Sequence, residues 1–438
     1  MLQTLTPAPR TAPRFDLGDR PLLIADLTQS YAPSGGGGIS TYLREKRDYI
    51  LTRTPHSLVQ IVPGPEDRVT VNGRHIFVEV AAPQVPGSPN YRFIVRTKEV
   101  RRILATYLPD IIESLCPWLL PWSAIKHRRL FPETALVAGY RTDFPNAHIH
   151  RVALQKFGST IADKLRALSY IYAERTYREF DRVYTLGEPA REILGSHGIH
   201  NTDVLPLGVD TTTFSPAART DDYRRELGFT NKGPLLAYAG RIDNEKRADR
   251  LIEMFRLLPR ELDAAMVLIG DGKLRERLEA EAQGLPIAFT GFENDRTRLA
   301  RALASSDMYV SAMADETFGI SVIEAQAAGL PVVGVASGAM PDRVPEGLGL
   351  LGPVDDAAAM ARNVQALWQS GAPNVGALAR AHVIESFGWN RTFERLLNTI
   401  YPKALAAAAA RAPSAEPQAM RARIEPTGAL PQPATSFR

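Results

Sequence analysis

Two carboxylates flank a short glycine-bearing segment, Glu316-Thr-Phe-Gly-Ile-Ser-Val-Ile-Glu324. An apolar strand-like stretch precedes it and an apolar helical stretch follows, so Glu316 is expected just before a helix N-terminus and Glu324 about two turns inside. The first amides of a helix have no partner within it, and the helix dipole favours negative charge there. The N–H groups of Phe318, Gly319 and Ile320 are therefore predicted to form a site for phosphate. The alternative is a carboxylate that stabilises the helix N-terminus and a second glutamate in solvent.

A second candidate segment, Gly240-Arg241-Ile-Asp-Asn-Glu-Lys246, follows another short apolar run. In parallel sheets ligands bind at the carboxyl ends of strands, where this segment is expected. Two cations there, Arg241 and Lys246, can neutralise a diphosphate leaving group without a metal ion. The alternative is ordinary surface charge ahead of a helix at 248–258.

Three further segments carry glycine after an apolar run. They are Gly270-Asp-Gly272, Thr290-Gly291-Phe292 and the cluster Gly35–Gly38, which includes Gly36 and Gly37. Taken singly, each is only a turn, because glycine is the usual residue where the backbone must bend sharply.

The elements that must position these segments alternate along the chain. Short apolar runs and helical patterns of 9–12 residues follow one another, which predicts βαβ units and parallel sheets. The rhythm restarts near 205–215, so the sequence predicts an α/β protein of two doubly wound, Rossmann-like domains that face a central cleft. The predicted divisions are a disordered N-terminus 1–17, an N-terminal domain 18–207, a C-terminal domain 208–388, a C-terminal helix 389–402 and an Ala- and Pro-rich tail 403–438.

The order of the glycine-rich loop, AGRIDNEK, IGDGK, FTGF and ETFGISVIEAQAAGLPVV resembles the retaining nucleotide-sugar glycosyltransferases of family four, which have the GT-B fold. The resemblance covers nearly all of 20–400. It implies transfer of a hexose from a nucleoside diphosphate sugar, for which the family's habits favour UDP, to an acceptor hydroxyl. The alternatives are a GT-B sugar epimerase and a catalytically degenerate nucleotide-sugar-binding protein.

The resemblance also implies roles for the matching positions. Glu324 matches the residue that holds the donor ribose, and Glu316 with the amides of Phe318 and Gly319 matches contacts to the transferred sugar. Arg241 and Lys246, beside Gly240, match a clamp for the diphosphate. Gly270, Gly272 and Phe292 match elements around the nucleobase. Gly36 and Gly37 match a loop that approaches the phosphates or the acceptor from across the cleft. No metal and no other cofactor is expected.

One position departs from the family pattern. Where the family often has a Tyr-His-Thr-Asp-like stretch near the sugar and acceptor, this chain has Tyr140-Arg141-Thr142-Asp143. Arginine is not a base at neutral pH, so Arg141 is expected to orient the sugar or to pair with Asp143. His148 and His150 lie close in sequence as alternative replacements. The departure leaves the reaction class intact, because retention is usually discussed as same-face attack in which the leaving diphosphate takes the proton.

The stretch 91–130 concentrates the positive charge of the chain. It has eight Lys and Arg residues against three acidic ones, a net charge of +5, and it contains Trp118 and Trp122. Basic residues interleaved with aromatic ones are typical of an interfacial anchor, so we expect a lipid or lipid-linked acceptor at an anionic membrane surface. The alternatives are a solvated basic helix and a soluble acceptor.

Composition limits the remaining classes. The chain has 438 residues, 45% of them hydrophobic, and a net charge of only +4, which with no nucleic-acid-reading motif disfavours nucleic-acid binding. The single cysteine, Cys116, excludes an intramolecular disulfide and a cysteine zinc site of the usual kind. No apolar run approaches 18 residues, and the first fourteen residues do not resemble a secretory signal. A cytoplasmic location is expected, with attachment to the inner face of the cytoplasmic membrane left open.

Overall fold

The computed structural model describes residues 20–29, 31, 38–85 and 88–411. The predicted N-terminal segment 1–17, the glycines Gly36 and Gly37, and the tail beyond 411 lie outside these residues.

The N-terminal half contains ten strands and six helices within the described residues. The strands are β1 (Leu23–Leu27), β2 (Ser57–Gly64), β3 (Arg68–Asn72), β4 (His75–Ala81), β5 (Gln84–Val85), β6 (Ser88–Arg92), β7 (Ile111–Ser114), β8 (Ala135–Tyr140), β9 (Arg182–Thr185) and β10 (Thr202–Val204). The helices are α1 (Gly38–Arg53), α2 (Thr97–Tyr107), α3 (Leu120–Arg128), α4 (Arg151–Phe157), α5 (Ser159–Tyr177) and α6 (Glu188–Ser196). A π-helical turn, Pro145–His150, leads directly into α4.

Eight of these strands form one sheet in the order β10-β9-β8-β7-β1-β2-β4-β3. All neighbours are parallel except β3, which is antiparallel to β4. The chain runs outward from β1 through β2, then returns to place β7 on the other side of β1, so a crevice opens between β1 and β7 at their carboxyl ends. Strands β7 and β8 are buried along their whole length, as expected of a sheet covered by helices on both faces.

The C-terminal half contains a second, all-parallel sheet of six strands in the order β13-β12-β11-β14-β15-β16. Its strands are β11 (Leu235–Ala239), β12 (Ala265–Ile269), β13 (Ile287–Gly291), β14 (Met308–Val310), β15 (Val332–Val335) and β16 (Gly349–Gly352). Its helices are α7 (Tyr223–Glu226), α8 (Ala248–Arg256), α9 (Arg275–Glu281), α10 (Arg296–Ala304), α11 (Ile320–Ala327), α12 (Met340–Arg343), α13 (Ala357–Gln369) and α14 (Ala372–Ser386). The direction of winding reverses between β11 and β14.

The chain crosses between the two halves twice, at adjacent positions. Val209 N–H donates to the Phe387 carbonyl at 2.7 Å, and Thr392 Oγ1 donates to the Pro206 carbonyl at 3.0 Å. A Cβ on Gly208 would lie 2.4 Å from Cδ2 of Trp389, so only glycine allows the two crossings to approach this closely.

The last helices pack on the N-terminal domain. They are α15 (Trp389–Arg395), a π-helical turn (Leu396–Ile400) and α16 (Tyr401–Arg411). Tyr401 Oη donates to the buried Glu113 carboxylate of β7 at 2.5 Å, and Arg411 forms an ion pair with Asp181. The helix thus continues past Lys403 into the stretch 403–438, whose start the sequence predicted to be a short helical segment.

Among the described residues, no helix combines the length and the apolar character needed to cross a bilayer.

Candidate active site

The crevice between β11 and β14 brings together two residues that the sequence singled out. Lys246 follows β11 and Glu316 follows β14, and Lys246 Nζ lies 3.1 Å from Glu316 Oε2. Tyr309 of β14 ties the two strands, since its hydroxyl bonds to the Ala239 carbonyl at 3.1 Å and to Ser321 Oγ at 2.8 Å. A cation and a carboxylate therefore lie together where doubly wound sheets bind ligands.

Arg241 lies in the same loop as Lys246 and is held by two acidic neighbours. Its guanidinium lies 2.6 Å from Asp243 and 2.9 Å from Glu245. Glu245 also pairs with Arg151 of α4 at 3.1 Å, which joins the C-terminal loop to the N-terminal domain across the cleft. Burial alone favours the neutral form, but Asp243 and Glu245 outweigh it and raise the pKa of Arg241.

The predicted donor-site glycines have a structural explanation in the packing of two loops. A Cβ on Gly270 would lie 1.8 Å from the Gly240 carbonyl oxygen, and a Cβ on Gly272 would lie 2.3 Å from the Ile242 carbonyl oxygen. Gly270 also has φ of 155°, which side chains rarely adopt. The glycines let the loops after β11 and β12 touch through backbone. Phe292 follows β13 at the same edge of the sheet and is 60% exposed.

Helix α11 begins at Ile320, after Gly319 in the left-handed region with φ of 79°, as the sequence predicted. The prediction that the preceding amides are unpaired is wrong for two of them. Glu316 Oε1 accepts from Gly319 N–H at 3.0 Å and from Phe318 N–H at 3.5 Å. Glu316 thus contacts both the helix N-terminus and Lys246.

Glu324 lies in the second turn of α11, and its side chain is only 4% exposed. Its carboxylate accepts from Arg296 at the start of α10 at 2.6 Å. Burial raises the pKa of Glu324, while Arg296 opposes this shift. The guanidinium of Arg296 also lies 4.6 Å from the Phe214 ring centroid. Sequence reasoning missed Arg296, because no local pattern connects α10 with α11.

In the N-terminal domain, Asp143 is held by three side chains. It accepts from Tyr140 Oη at 2.6 Å, from Tyr170 Oη at 2.9 Å and from Asn146 Nδ2 at 2.5 Å. The expected pair between Arg141 and Asp143 does not form. Asp143 instead fixes the π-helical turn and α5 against β8.

Arg141 follows β8 and is only 8% exposed. Its guanidinium carbon lies 3.9 Å from the ring centroid of Tyr42 on α1. None of its three side-chain nitrogens has a hydrogen-bond partner among the described residues. Of the two alternative histidines, His150 is bonded to Asp163 at 3.1 Å, and His148 lies 6.2 Å from Trp118, centroid to centroid.

The basic stretch 91–130 differs from the predicted anchor. Arg96 pairs with Asp67 and Arg102 with Glu99, each at 2.6 Å. Trp118 and Trp122 are only partly exposed and pack against the core of the N-terminal domain. The tryptophans therefore contribute to packing more than to a free aromatic surface.

Comparison with known proteins places this site in a family. Residues 36–213 match the model described as Glycosyltransferase Family 4, and residues 219–377 match that of Glycosyl transferases group 1. The GDP-mannose-dependent alpha-(1-6)-phosphatidylinositol dimannoside mannosyltransferase of Mycobacterium tuberculosis (strain ATCC 25177 / H37Ra) is 33% identical over 313 residues, 71% of this chain and 78% of that protein. The chain belongs to the family-four glycosyltransferases of the GT-B fold. The resemblance stated from the sequence motifs is thereby confirmed.

Two further comparisons agree with this result, one at the level of the sequence and one at the level of the fold. The sulfoquinovosyl transferase SQD2 of Arabidopsis thaliana is 30% identical over 70% of this chain and 56% of its own length. The structure of sucrose-phosphate synthase from Thermosynechococcus elongatus has a TM-score of 0.70 at 21% identity and covers 89% of this chain and all of its own, which confirms the fold. The protein is an enzyme that transfers a sugar from a nucleotide sugar.

Proposed function

We propose that this glycosyltransferase moves mannose from GDP-mannose to a hydroxyl of a lipid-linked acceptor, with retention at the anomeric carbon. The observation that carries the proposal is the ion pair of Lys246 with Glu316 at the carboxyl ends of β11 and β14, with Arg241 in the same loop as Lys246. GDP-mannose is favoured over the UDP-sugar expected from the sequence, because the relative with 33% identity is named as GDP-mannose-dependent.

In this proposal each charged group has one task. Arg241 and Lys246 bind the diphosphate and stabilise the charge that grows on it as the bond to the sugar breaks. Glu316 accepts hydrogen bonds from the sugar hydroxyls, and Glu324 accepts them from the ribose. The acceptor oxygen forms the new bond to the anomeric carbon on the face that the diphosphate leaves, and its proton passes to the diphosphate. No side-chain base is needed, so arginine at position 141 is compatible with transfer.

The donor is tested with a panel of UDP-, GDP- and ADP-sugars. We expect GDP-mannose to raise the melting temperature most, because a ligand that binds only the folded state stabilises it. Donor consumption with and without a lipid acceptor then separates transfer from other reactions. Sugar isomerisation without acceptor would indicate an epimerase, and binding without turnover would indicate a degenerate binding protein. A larger shift with UDP-sugars would contradict the donor assignment.

Metal independence is a second part of the proposal. Once they pass from their acidic partners to the diphosphate, Arg241 and Lys246 supply the positive charge that other transferases take from a divalent ion. Transfer should continue in EDTA at the rate seen without it. Loss of transfer in EDTA that Mg²⁺ or Mn²⁺ restores would contradict this part alone.

The lipid acceptor is favoured by a surface on α5. Ile161, Leu168 and Ile171 are 44–60% exposed, and with Lys164 and Arg175 they follow the spacing of one helix face. We call these five residues the α5 stripe. The opposite face of α5 is buried. Apolar side chains in solvent with basic residues among them match an anionic bilayer, where each basic residue contributes about 1 kcal/mol.

Flotation with anionic and neutral vesicles tests the α5 stripe. The double variant Leu168→Ser/Ile171→Ser should lose binding to anionic vesicles. The matched control Leu378→Ser/Ile384→Ser changes the same residue types at similar exposure, 58% and 50%, on α14 of the other domain and should bind normally. Equal loss in both variants would contradict the stripe. Loss only when Arg96, Arg101 and Arg102 become Glu would return the docking surface to the stretch 91–130.

A further inference from the structure

The buried guanidinium of Arg141 is not used by the transfer chemistry described above. It lies at the carboxyl end of β8, two strands from β1 in the N-terminal sheet. The ring of Tyr42 covers one face at 3.9 Å, and the ring of Tyr184 lies 5.9 Å away. The side chain is thus stacked and enclosed while all its donors point to no described acceptor.

The acidic groups nearby are already occupied. Asp143 is bonded to Tyr140, Tyr170 and Asn146. Glu113 accepts the hydroxyls of Tyr42 and Tyr184, the two rings that face Arg141, and it also binds Lys46 and Tyr401. The described protein therefore offers Arg141 aromatic faces but no counter-charge.

A buried cation without an anion is costly, because it has lost its hydration and gained no hydrogen bonds. The guanidinium of arginine is planar and more weakly hydrated than an ammonium group, which suits it to bind an anion at a buried position. Its planar fork of donors fits a carboxylate or a phosphate in a bidentate manner. The position is also at the strand ends that face ligands in doubly wound sheets.

We propose that Arg141 is an oxyanion-binding residue that receives a phosphate group of a substrate through paired hydrogen bonds. The inference rests on the proposed function, which supplies two phosphate sources: the diphosphate of the donor and a phosphodiester in the acceptor lipid. Both present the same planar pair of oxygens to the guanidinium. The experiment below tells them apart.

The first measurement uses Arg141→Met, which keeps the apolar stem and removes the charge. Removing an unpaired buried charge should raise the melting temperature of the protein without ligand by a few degrees. The matched control is Arg182→Met on the neighbouring β9. Arg182 pairs with Asp203, so its removal should lower the melting temperature. A fall with Arg141→Met similar to that of the control would indicate a structural ion pair and overturn the proposal.

The second measurement identifies the phosphate. If the donor supplies it, Arg141→Met should weaken the calorimetric affinity for GDP and for pyrophosphate at least tenfold. If the acceptor supplies it, GDP affinity is kept, while KM rises at least tenfold for a mannosylated phosphatidylinositol and stays unchanged for a phosphate-free glycosyl diacylglycerol. Arg141→Lys, which keeps the charge without the fork, should fall between wild type and Arg141→Met. Changes below tenfold in both arms overturn the proposal.

Failure of the proposed function would have a different signature. A wild-type protein that does not transfer from GDP-mannose contradicts that donor, yet the pyrophosphate arm still reports whether Arg141 binds an oxyanion. If Arg141→Met does not fold, Arg141→Gln provides the same comparison with a polar, uncharged side chain.

Discussion

At the residue scale, the loop after β11 holds its cations against acidic neighbours, so substrate must exchange partners with them. Lys246 faces Glu316, and Arg241 faces Asp243 and Glu245. A diphosphate presents more negative charge to these groups than a single carboxylate does. Arg241 and Lys246 can therefore exchange these carboxylates for the diphosphate as negative charge develops on it.

Replacing either cation should consequently act on turnover more than on folding. We expect Arg241→Ala and Lys246→Ala each to lower kcat by about 100- to 1000-fold, since preorganised charge at a developing anion is of that order. The control is Arg250→Ala on α8, which pairs with Glu253 of the same helix and with Asp355 after β16 rather than with the acidic residues at β11 and β14. Steady-state kinetics with GDP-mannose measures all three. Rates near wild type in Arg241→Ala and Lys246→Ala would contradict the diphosphate clamp.

Glu324 should act on donor binding. Glu324→Ala removes the acceptor proposed for the ribose hydroxyls and is expected to raise the donor KM about tenfold, or about 1.4 kcal/mol. Its partner Arg296 is 45% exposed and remains hydrated, so the variant should stay folded. Steady-state kinetics compares the change in KM with the change in kcat between Glu324→Ala and wild type, and the melting temperature of the variant is the control for folding. A lower kcat at unchanged KM would place Glu324 at the reacting centre instead.

The sequence predicted those site residues that lie close together in the chain and missed contacts between residues that are far apart in it. Glu316, Gly319 and the start of α11 were found because they lie in one local pattern. Arg296 and the stacking of Tyr42 on Arg141 were missed, because these contacts exist only after distant segments pack. The pair between Arg141 and Asp143 was one of two alternatives that the sequence left open, and it does not form because three other side chains bond to that carboxylate.

At the element scale, the strands with an apolar run were predicted, including β10 of only three residues, whereas β3 and β16 were not. Strand β3 is mostly exposed at the sheet edge, so it lacks an apolar signal, and β16 has the sequence GLLG with little β propensity. Helix α13 was missed although Asp356 caps it by accepting from Ala359 N–H at 2.7 Å. Its buried residues Ala357, Met360, Val364 and Leu367 follow helical spacing, so this helix carried a sequence signal that was overlooked.

Helix α3 gives the fold a dependence on pH. His127 is buried in α3 beside Phe131, at 4.6 Å between ring centroids, and burial lowers the pKa of His127 to about 4. An unfolded histidine binds its proton near pH 6.5, so unfolding takes up a proton between these values and stability falls as pH falls. We expect wild type to lose about 2 kcal/mol more than His127→Leu between pH 7 and pH 5. Urea unfolding measures this difference, and parallel losses would contradict it.

At the scale of the whole molecule, the last helix, α16, follows the C-terminal domain in the chain but packs on the N-terminal domain. The sequence predicted two domains and a last helix but did not indicate that this helix returns to the first domain. Tyr401 and Glu113 are 288 positions apart, and no local pattern reports such a pair. Helix α15, which leads into α16, lies beside the crossing at 206–209, since Thr392 Oγ1 donates to the Pro206 carbonyl.

Variants in the buried cluster around Glu113 can test how much the packing of α16 on the N-terminal domain stabilises the protein. Glu113 binds Lys46 at 2.7 Å, and this cation with the tyrosine donors holds the pKa of Glu113 below its ordinary value despite burial. Tyr401→Phe removes one donor and nothing else, so the free energy of unfolding should fall by about 1.5–3 kcal/mol. Lys403→Ala on the same helix breaks only a partly exposed pair with Asp203 and should cost less than about 1 kcal/mol. Urea unfolding compares the two, and equal losses would mean that α16 acts through its surface pairs, with the Glu113 cluster stable without it.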